Sequence, residues 1–133
     1  MALVGLMNTL HLEGAKYDIR VNCLAPAAGT AMTEGLFPED VFNLLTPESV
    51  SPGVVFLAGP DAPSRVVLTA GGGAFAVYKG FETDGVSLLP DQPSPEGIAA
   101  AWETITDENG MQIFASGFEQ ASKFASKGAA SKG

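Results

Sequence analysis

Ile19-Arg20-Val21-Asn22-Cys23-Leu24-Ala25-Pro26-Ala27-Ala28-Gly29-Thr30-Ala31-Met32-Thr33 is the stretch on which the fold turns. Its first part is short, β-branched at its start and closed by Pro26, which predicts a strand over Ile19–Ala25. Its second part, Pro26–Thr33, is a run of small residues followed by a hydroxyl. In open α/β sheets a dinucleotide lies across the carboxyl ends of parallel strands. A nicotinamide amide held there needs backbone donors and acceptors, small residues that let the backbone approach, and a hydroxyl to bond the amide or a phosphate. Pro26, Ala27, Ala28, Gly29 and Thr30 supply those types in order. An ordinary small-residue turn has the same composition, and from residue types alone it is the commoner meaning.

Upstream, Leu3, Val4, Leu6, Met7, Leu10 and Leu12 put apolar side chains on most of a helix surface over Met1–Leu12. A helix apolar nearly all round is expected to be buried on several sides. Gly14 is a reasonable stop for it. Helix then strand across a short link is the α/β rhythm. Downstream, Gly35 and Pro38 divide Thr30–Leu45 into two short helical pieces. Thr46-Pro47-Glu48 is a helix start, with a Thr cap, Pro at the first position and an acid in the first turn. Pro52 is expected to shorten or kink that helix, and Val54, Val55, Phe56 and Leu57 to be buried.

Arg65–Ala70 is a second strand, ended by Gly71-Gly72-Gly73. Ala74–Leu89 reads as a short extension with turns at Gly80 and Asp84-Gly85, Pro90–Pro95 as a linker, and Pro95 to about Asp107 as a further helix. Beyond Asn109-Gly110, Ala, Ser, Lys and Gly dominate, and Ala-Ser-Lys recurs at Ala121, Ala125 and Ala130. The chain divides on this reading into a domain part over 1–109 and a partly disordered tail over 110–133.

Composition excludes several functions. The 46% hydrophobic content fits a globular chain. A net charge of −8 with sparse Lys and Arg disfavours nucleic acid or an anionic membrane, which need clustered positive charge. No apolar run reaches the ~18 residues of a membrane span. The single Cys23 forms no internal disulfide and predicts a reducing, cytoplasmic compartment.

Individual residues add little chemistry. His11 reads as a helix-surface or interface residue without an assigned partner, and no second ligand makes it a metal site. Cys23 reads as a buried thiol. Ser49 and Ser51 lack a triad arrangement, the group Glu34, Glu39 and Asp40 is a solvated face, and Trp102 is a packing anchor. Gly71-Gly72-Gly73 has neither the spacing nor the following Lys of a phosphate cradle; close backbone packing at the last strand of the sheet is the expectation there.

Taken together, Pro26–Thr33, then Leu36-Phe37-Pro38-Glu39-Asp40, Thr46–Pro52, Ala70–Gly73, Pro95-Glu96 and Ala101-Trp102 through Asn109 resemble a short-chain dehydrogenase/reductase. The likeness is strongest to the dehydrogenase part of multifunctional β-oxidation enzymes, and it covers residues up to about 109. It implies an α/β fold, the C-terminal half of a Rossmann-type doubly wound parallel sheet. It further implies oxidation of a secondary hydroxyl, of a 3-hydroxyacyl-CoA, with NAD or NADP. Pro26, Ala27, Ala28, Gly29, Thr30 and Met32 would then line the cofactor, and Thr33, Leu36 and Phe37 would belong to a substrate lid. The family's Ser, Tyr and Lys have no counterparts in these residues: Lys16 and Tyr17 are adjacent and in the wrong order. No catalytic residue is assigned. The Leu3–Leu12 helix is, in such proteins, a subunit contact, which implies a homo-oligomer. A chain acting only through subunit association is the alternative.

Overall fold

The computed structural model describes residues 1–89 and 93–131. Residues 90–92 of the expected linker and 132–133 of the expected tail lie outside them. The chain forms two compact units, Met1–Tyr78 and Lys79–Gly133. The division at 109/110, drawn from the sequence resemblance, stays a proposal beside this geometric one.

In the first unit, helix α1 spans Ala2–Gly14. A β-carbon on Gly14 would lie 3.0 Å from Ile19 Cβ, so this glycine serves close packing of the returning chain. The left-handed residue of the reversal is instead Asp18, at φ 56. Strand β1 is Cys23–Pro26, later and shorter than the expected Ile19–Ala25. Over residues 20–22 side chains add to a single backbone bond, Arg65 N–H to Val21 O at 2.8 Å. The Arg20 guanidinium donates to the carbonyls of Pro60 and Ala62. Asn22 donates to Pro63 O at 2.7 Å and accepts from Val66 N–H at 3.0 Å. Pro26 closes an edge strand of the sheet, where a missing N–H is tolerated.

Strand β2, Val67–Gly71, lies parallel to β1, with Cys23 opposite Val67 and Pro26 opposite Ala70. Arg65, expected within it, sits outside at φ 65. Strand β3, Ala74–Tyr78, returns antiparallel, giving the order β1-β2-β3. β1 and β2 form the expected parallel pair, and the residues expected as a short extension after Gly73 add an antiparallel strand. Gly71 belongs to β2, and Gly72 and Gly73, at φ +57 and +76, make the two-residue hairpin turn that needs positive φ at both positions. The triplet thus turns the chain at Gly72 and Gly73 and packs close at Gly71, on a strand that β3 follows.

Between the strands, α2 spans Glu39–Leu44 and α3 spans Ser51–Ala58. Thr46 caps a single tight turn over Pro47–Ser49, its hydroxyl accepting from Ser49 N–H at 3.2 Å. The helix restarts at Ser51, so Pro52 falls in a first turn, where its missing N–H breaks no bond; no kink results. α3 meets the sheet at Gly53, where a β-carbon would be 3.1 Å from Phe75, 3.2 Å from Leu68 and 3.4 Å from Leu24. Met7, Val50, Ala62, Val67, Leu68 and Ala70 are the buried apolar residues. The expected burial of Val54, Val55 and Phe56 does not hold: Val55 is 72% exposed and the other two are exposed. A helix offers one face to one sheet layer, and no described element covers the other. For the same reason α1 buries only Met7 and Gly14, and Leu3 is 71% exposed.

In the second unit, α4 is Pro95–Ala100 and α5 is Trp102–Thr106. The Ser94 hydroxyl caps α4 by accepting Gly97 N–H at 3.0 Å. Trp102 is exposed, so it does not anchor a core as expected. Glu82 and Gln112 exchange a pair of backbone hydrogen bonds at 2.9 Å. The tail, expected to be partly disordered, holds helix α6 over Gly117–Ala130. Ser116 caps it, and Glu119 reaches back to Ala115 N–H at 2.7 Å, a reciprocal start of the capping-box kind.

Candidate functional site

β1 delivers the chain to the loop at its carboxyl end. Ala27 N–H extends the ladder to Ala70 O at 2.7 Å. Gly29 N–H donates to Leu45 O at 2.5 Å, which pins the end of α2 onto the loop. A β-carbon at Gly29 would lie 2.9 Å from Phe42 O, closer than real β-carbons approach, so the position needs glycine. The Thr33 hydroxyl accepts Thr30 N–H at 2.9 Å and stands 3.1 Å from the carbonyls of Ala28 and Thr30. That hydroxyl has one proton, so it donates to one of the two carbonyls at a time.

Several polar groups of the loop are left over, the N–H groups of Ala31 and Met32 among them. Ala28 N–H makes no hydrogen bond among the described residues, nor does the Thr30 hydroxyl. Pro26, Ala27 and Thr30 are exposed, and Ala28 and Gly29 half-exposed. Met32, given to the cofactor side, is 90% exposed; Leu36 and Phe37 are exposed ahead of α2.

Beside the loop lies a shallow groove of about 330 Å3, lined by Ala25, Ala27, Leu45, Thr69, Ala70, Gly71, Ala74, Phe75 and Ala76. Its floor follows from strand alternation: Ala25, Thr69 and Ala76 are in register across the sheet, as are Gly71 and Ala74. All are small. A β-carbon on Gly71 would sit 2.9 Å from Ala27 O, so that glycine sets how near the first loop residue comes to β2. Leu45 forms the rim, its side chain near Gly71 and Gly72.

The sequence places Pro26–Thr30 together, and they stay together. It missed Leu45, for which nothing in the sequence gives a signal. It also missed the loop-bracing part of Thr33, which the hydroxyl three residues beyond Thr30 could have indicated. Thr33 stands inside the loop, not out among the exposed Leu36 and Phe37. His11 was assigned no partner; its Nδ1 lies 2.9 Å from Ser64 Oγ, which also accepts Val21 N–H at 3.0 Å. This pair precedes the amino ends of β1 and β2, away from the loop. Cys23 is half-exposed rather than buried. Among the described residues no cluster of His, Cys, Asp or Glu could hold a metal ion.

No family model matches the chain. It is 44% identical over 114 residues to a short-chain type dehydrogenase/reductase of Mycobacterium tuberculosis, covering 85% of this chain and 40% of that protein. It is 37% identical over 110 residues to the peroxisomal hydratase-dehydrogenase-epimerase of Saccharomyces cerevisiae, covering 80% of this chain and 12% of that one. The peroxisomal multifunctional enzyme type 2 of Drosophila melanogaster superposes with a TM-score of 0.80 at 23% identity, over 93% of this chain and 23% of that one. This last likeness is one of fold. A short-chain dehydrogenase from Mycobacterium avium superposes with a TM-score of 0.56 at 26% identity, over 79% of this chain and 37% of that one. The yeast relative's name is peroxisomal, whereas the expectation here is cytoplasmic; a single cysteine does not choose among compartments. No helix among the described residues is long and apolar enough to cross a membrane. The sheet, the loop at its carboxyl edge and these relatives agree: the chain is a homologue of the short-chain dehydrogenases/reductases, matching part of their length.

Proposed function

We propose that this chain supplies the nicotinamide-facing loop of an NAD(P)-dependent dehydrogenase acting on a secondary hydroxyl, with 3-hydroxyacyl-CoA as the substrate class. The observation that carries the reading is that Ala28 N–H and the Thr30 hydroxyl, two of the loop's unpaired polar groups, lie next to β1 on a loop at the carboxyl end of a parallel strand. These suit an amide: the N–H meets its carbonyl, and the hydroxyl accepts from its NH2 or donates to its oxygen. A nicotinamide bound there would be the hydride acceptor; the chain's own part is to hold and orient it. Leu45 and the small-residue floor keep the adjoining surface apolar and close. The dehydrogenase part of the reading agrees with the relatives' names, among them a hydratase-dehydrogenase-epimerase; the substrate class rests on the resemblance of Pro26–Thr33 and the following motifs to multifunctional β-oxidation enzymes.

These 133 residues contain no Tyr-x-x-x-Lys, the general acid/base arrangement that the family resemblance implies. The chain assayed by itself with NAD or NADP and a 3-hydroxyacyl-CoA is therefore expected to show no turnover, while NADH still binds weakly. Turnover that persists through stringent purification, or no binding of NADH and NADPH at millimolar concentration, overturns the reading.

A second reading, association without catalysis, is favoured by one observation. Leu3, Leu6, Leu10 and Leu12 of α1 are all exposed, and an apolar surface of that kind is an association site. Sedimentation of the chain and of Leu6→Glu separates the two: loss of self-association with NADH binding intact assigns α1 to assembly alone.

A further inference from the structure

The recurring Ala-Ser-Lys of the second unit plays no part in the cofactor loop, yet Lys123 and Lys127 are both ion-paired. Lys123 Nζ stands 2.8 Å from Glu82 Oε1 and 2.5 Å from Thr83 O. Lys127 Nζ stands 2.8 Å from Asp84 Oδ2 and 3.2 Å from Gly85 O. Gln120 bonds the other oxygen of Glu82, and the hydroxyls of Ser131 and Ser87 lie 2.8 Å apart. One face of α6 thus follows residues 82–87 in order.

The spacing explains the first two copies of the repeat, whose lysines are four apart. Four helical residues climb about 6 Å and two extended residues span about 6.6 Å. Lysines four apart on α6 therefore meet carboxylates two apart on the 82–84 segment. A Lys at every fourth helical position is the pattern that an acid at every second extended position requires.

Apolar burial does not fasten this helix. None of its residues is buried, and Phe118 is 87% exposed. Leu89 approaches the helix at Gly128, where a β-carbon would be 3.4 Å away. The two ion pairs also differ. The Lys123 side chain is 9% exposed and lies 5.5 Å from the Phe114 and Phe124 rings. Lys127 and Asp84 are more open to water.

We propose that α6 is an ionic strap, fastened along residues 82–87 by Lys123 and Lys127 and loosened by salt from its Lys127 end. Screening reaches about 10 Å at 0.1 M ionic strength and about 3 Å at 1 M, and acts most on exposed pairs. Lys127–Asp84 yields first, and Lys123–Glu82, better covered, holds longer. A helix of this length freed from its partner frays, because isolated short helices are marginal in water.

Amide hydrogen exchange on the 133-residue chain tests this. Raising NaCl from about 0.05 M to about 1 M should speed exchange over Lys127–Ser131 by about tenfold, less over Gln120–Lys123, and leave the β1–β2 amides unchanged. Lys127→Glu and Asp84→Lys should each speed α6 exchange at low salt, and the two together should restore it. Single variants that exchange as the parent does, or a double variant no slower than the singles, overturn the strap. The β1–β2 amides report in every variant whether the first unit is still folded.

Discussion

The Thr33 side chain is bonded to the Thr30 backbone: its hydroxyl takes Thr30 N–H at 2.9 Å while standing 3.1 Å from Ala28 O. A side chain three residues on thereby closes the loop that leaves β1. It uses up the Thr30 amide and leaves that residue's own hydroxyl facing outward.

Thr33→Val removes this brace while keeping the shape of the side chain. The loss should cost about 0.5–1.5 kcal/mol, the net worth of such bonds, and unprotect the Thr30 amide in hydrogen exchange. Thr33→Ser should keep the protection. Equal exchange in all three proteins would remove Thr33 from the loop's architecture.

Thr30→Ala should leave the fold intact and weaken nicotinamide binding by about 1–2 kcal/mol, one lost hydrogen bond to ligand. NADH titration followed by fluorescence measures it. His11→Ala is the contrast: it loses the contact with Ser64 and should alter stability, not binding. Unchanged affinity in Thr30→Ala excludes its hydroxyl from the site.

Two glycines should respond to alanine with opposite sign. At Gly71 the new β-carbon meets Ala27 O at 2.9 Å, and overpacking of that kind costs about 1–3 kcal/mol. At Gly5, inside α1, nothing lies within 4 Å, so helix propensity decides and Gly5→Ala should gain about 0.5–1 kcal/mol. Urea denaturation of both variants checks the signs.

Acid should release α6, but only strong acid. Hydrogen bonding from Lys123, then Gln120, holds the Glu82 carboxyl below its ordinary value, and Lys127 does the same for Asp84. A carboxyl lowered in the folded state contributes above its unfolded pKa and loses that contribution as pH falls through the folded one. Unfolded values are about 4.3 for Glu and about 3.9 for Asp. The strap should therefore be intact at neutral and mildly acidic pH and detach below the ordinary carboxylate range. Far-UV circular dichroism of the chain and of Glu82→Gln with Asp84→Asn follows it. Loss of helix at the same pH in both proteins contradicts the assignment.

Local chemistry made much of this legible. Small residues after a β-branched run mark both β1 and the loop, and Thr46-Pro47 and Pro95-Glu96 mark turn and helix starts where they occur. The misreadings share two physical causes. Three glycines in a row state that the chain bends, not which way, so the antiparallel β3 was hidden behind Gly72-Gly73. Apolar content in α1, α3 and at Trp102 states that burial is favourable, not that these 133 residues supply the cover. The strap was hidden for a third reason: Lys123 and Glu82 are 41 residues apart, and ion pairs across that distance leave no local pattern.

Titration of the isotopically labelled chain with reduced nicotinamide mononucleotide, with AMP as the comparison ligand, tests the central claim most directly. The account predicts amide shifts concentrated at Ala27 to Met32, foremost Ala28, with the nicotinamide nucleotide and none there with AMP. Shifts confined to other residues, or equal responses to the two ligands, would contradict a nicotinamide-facing loop.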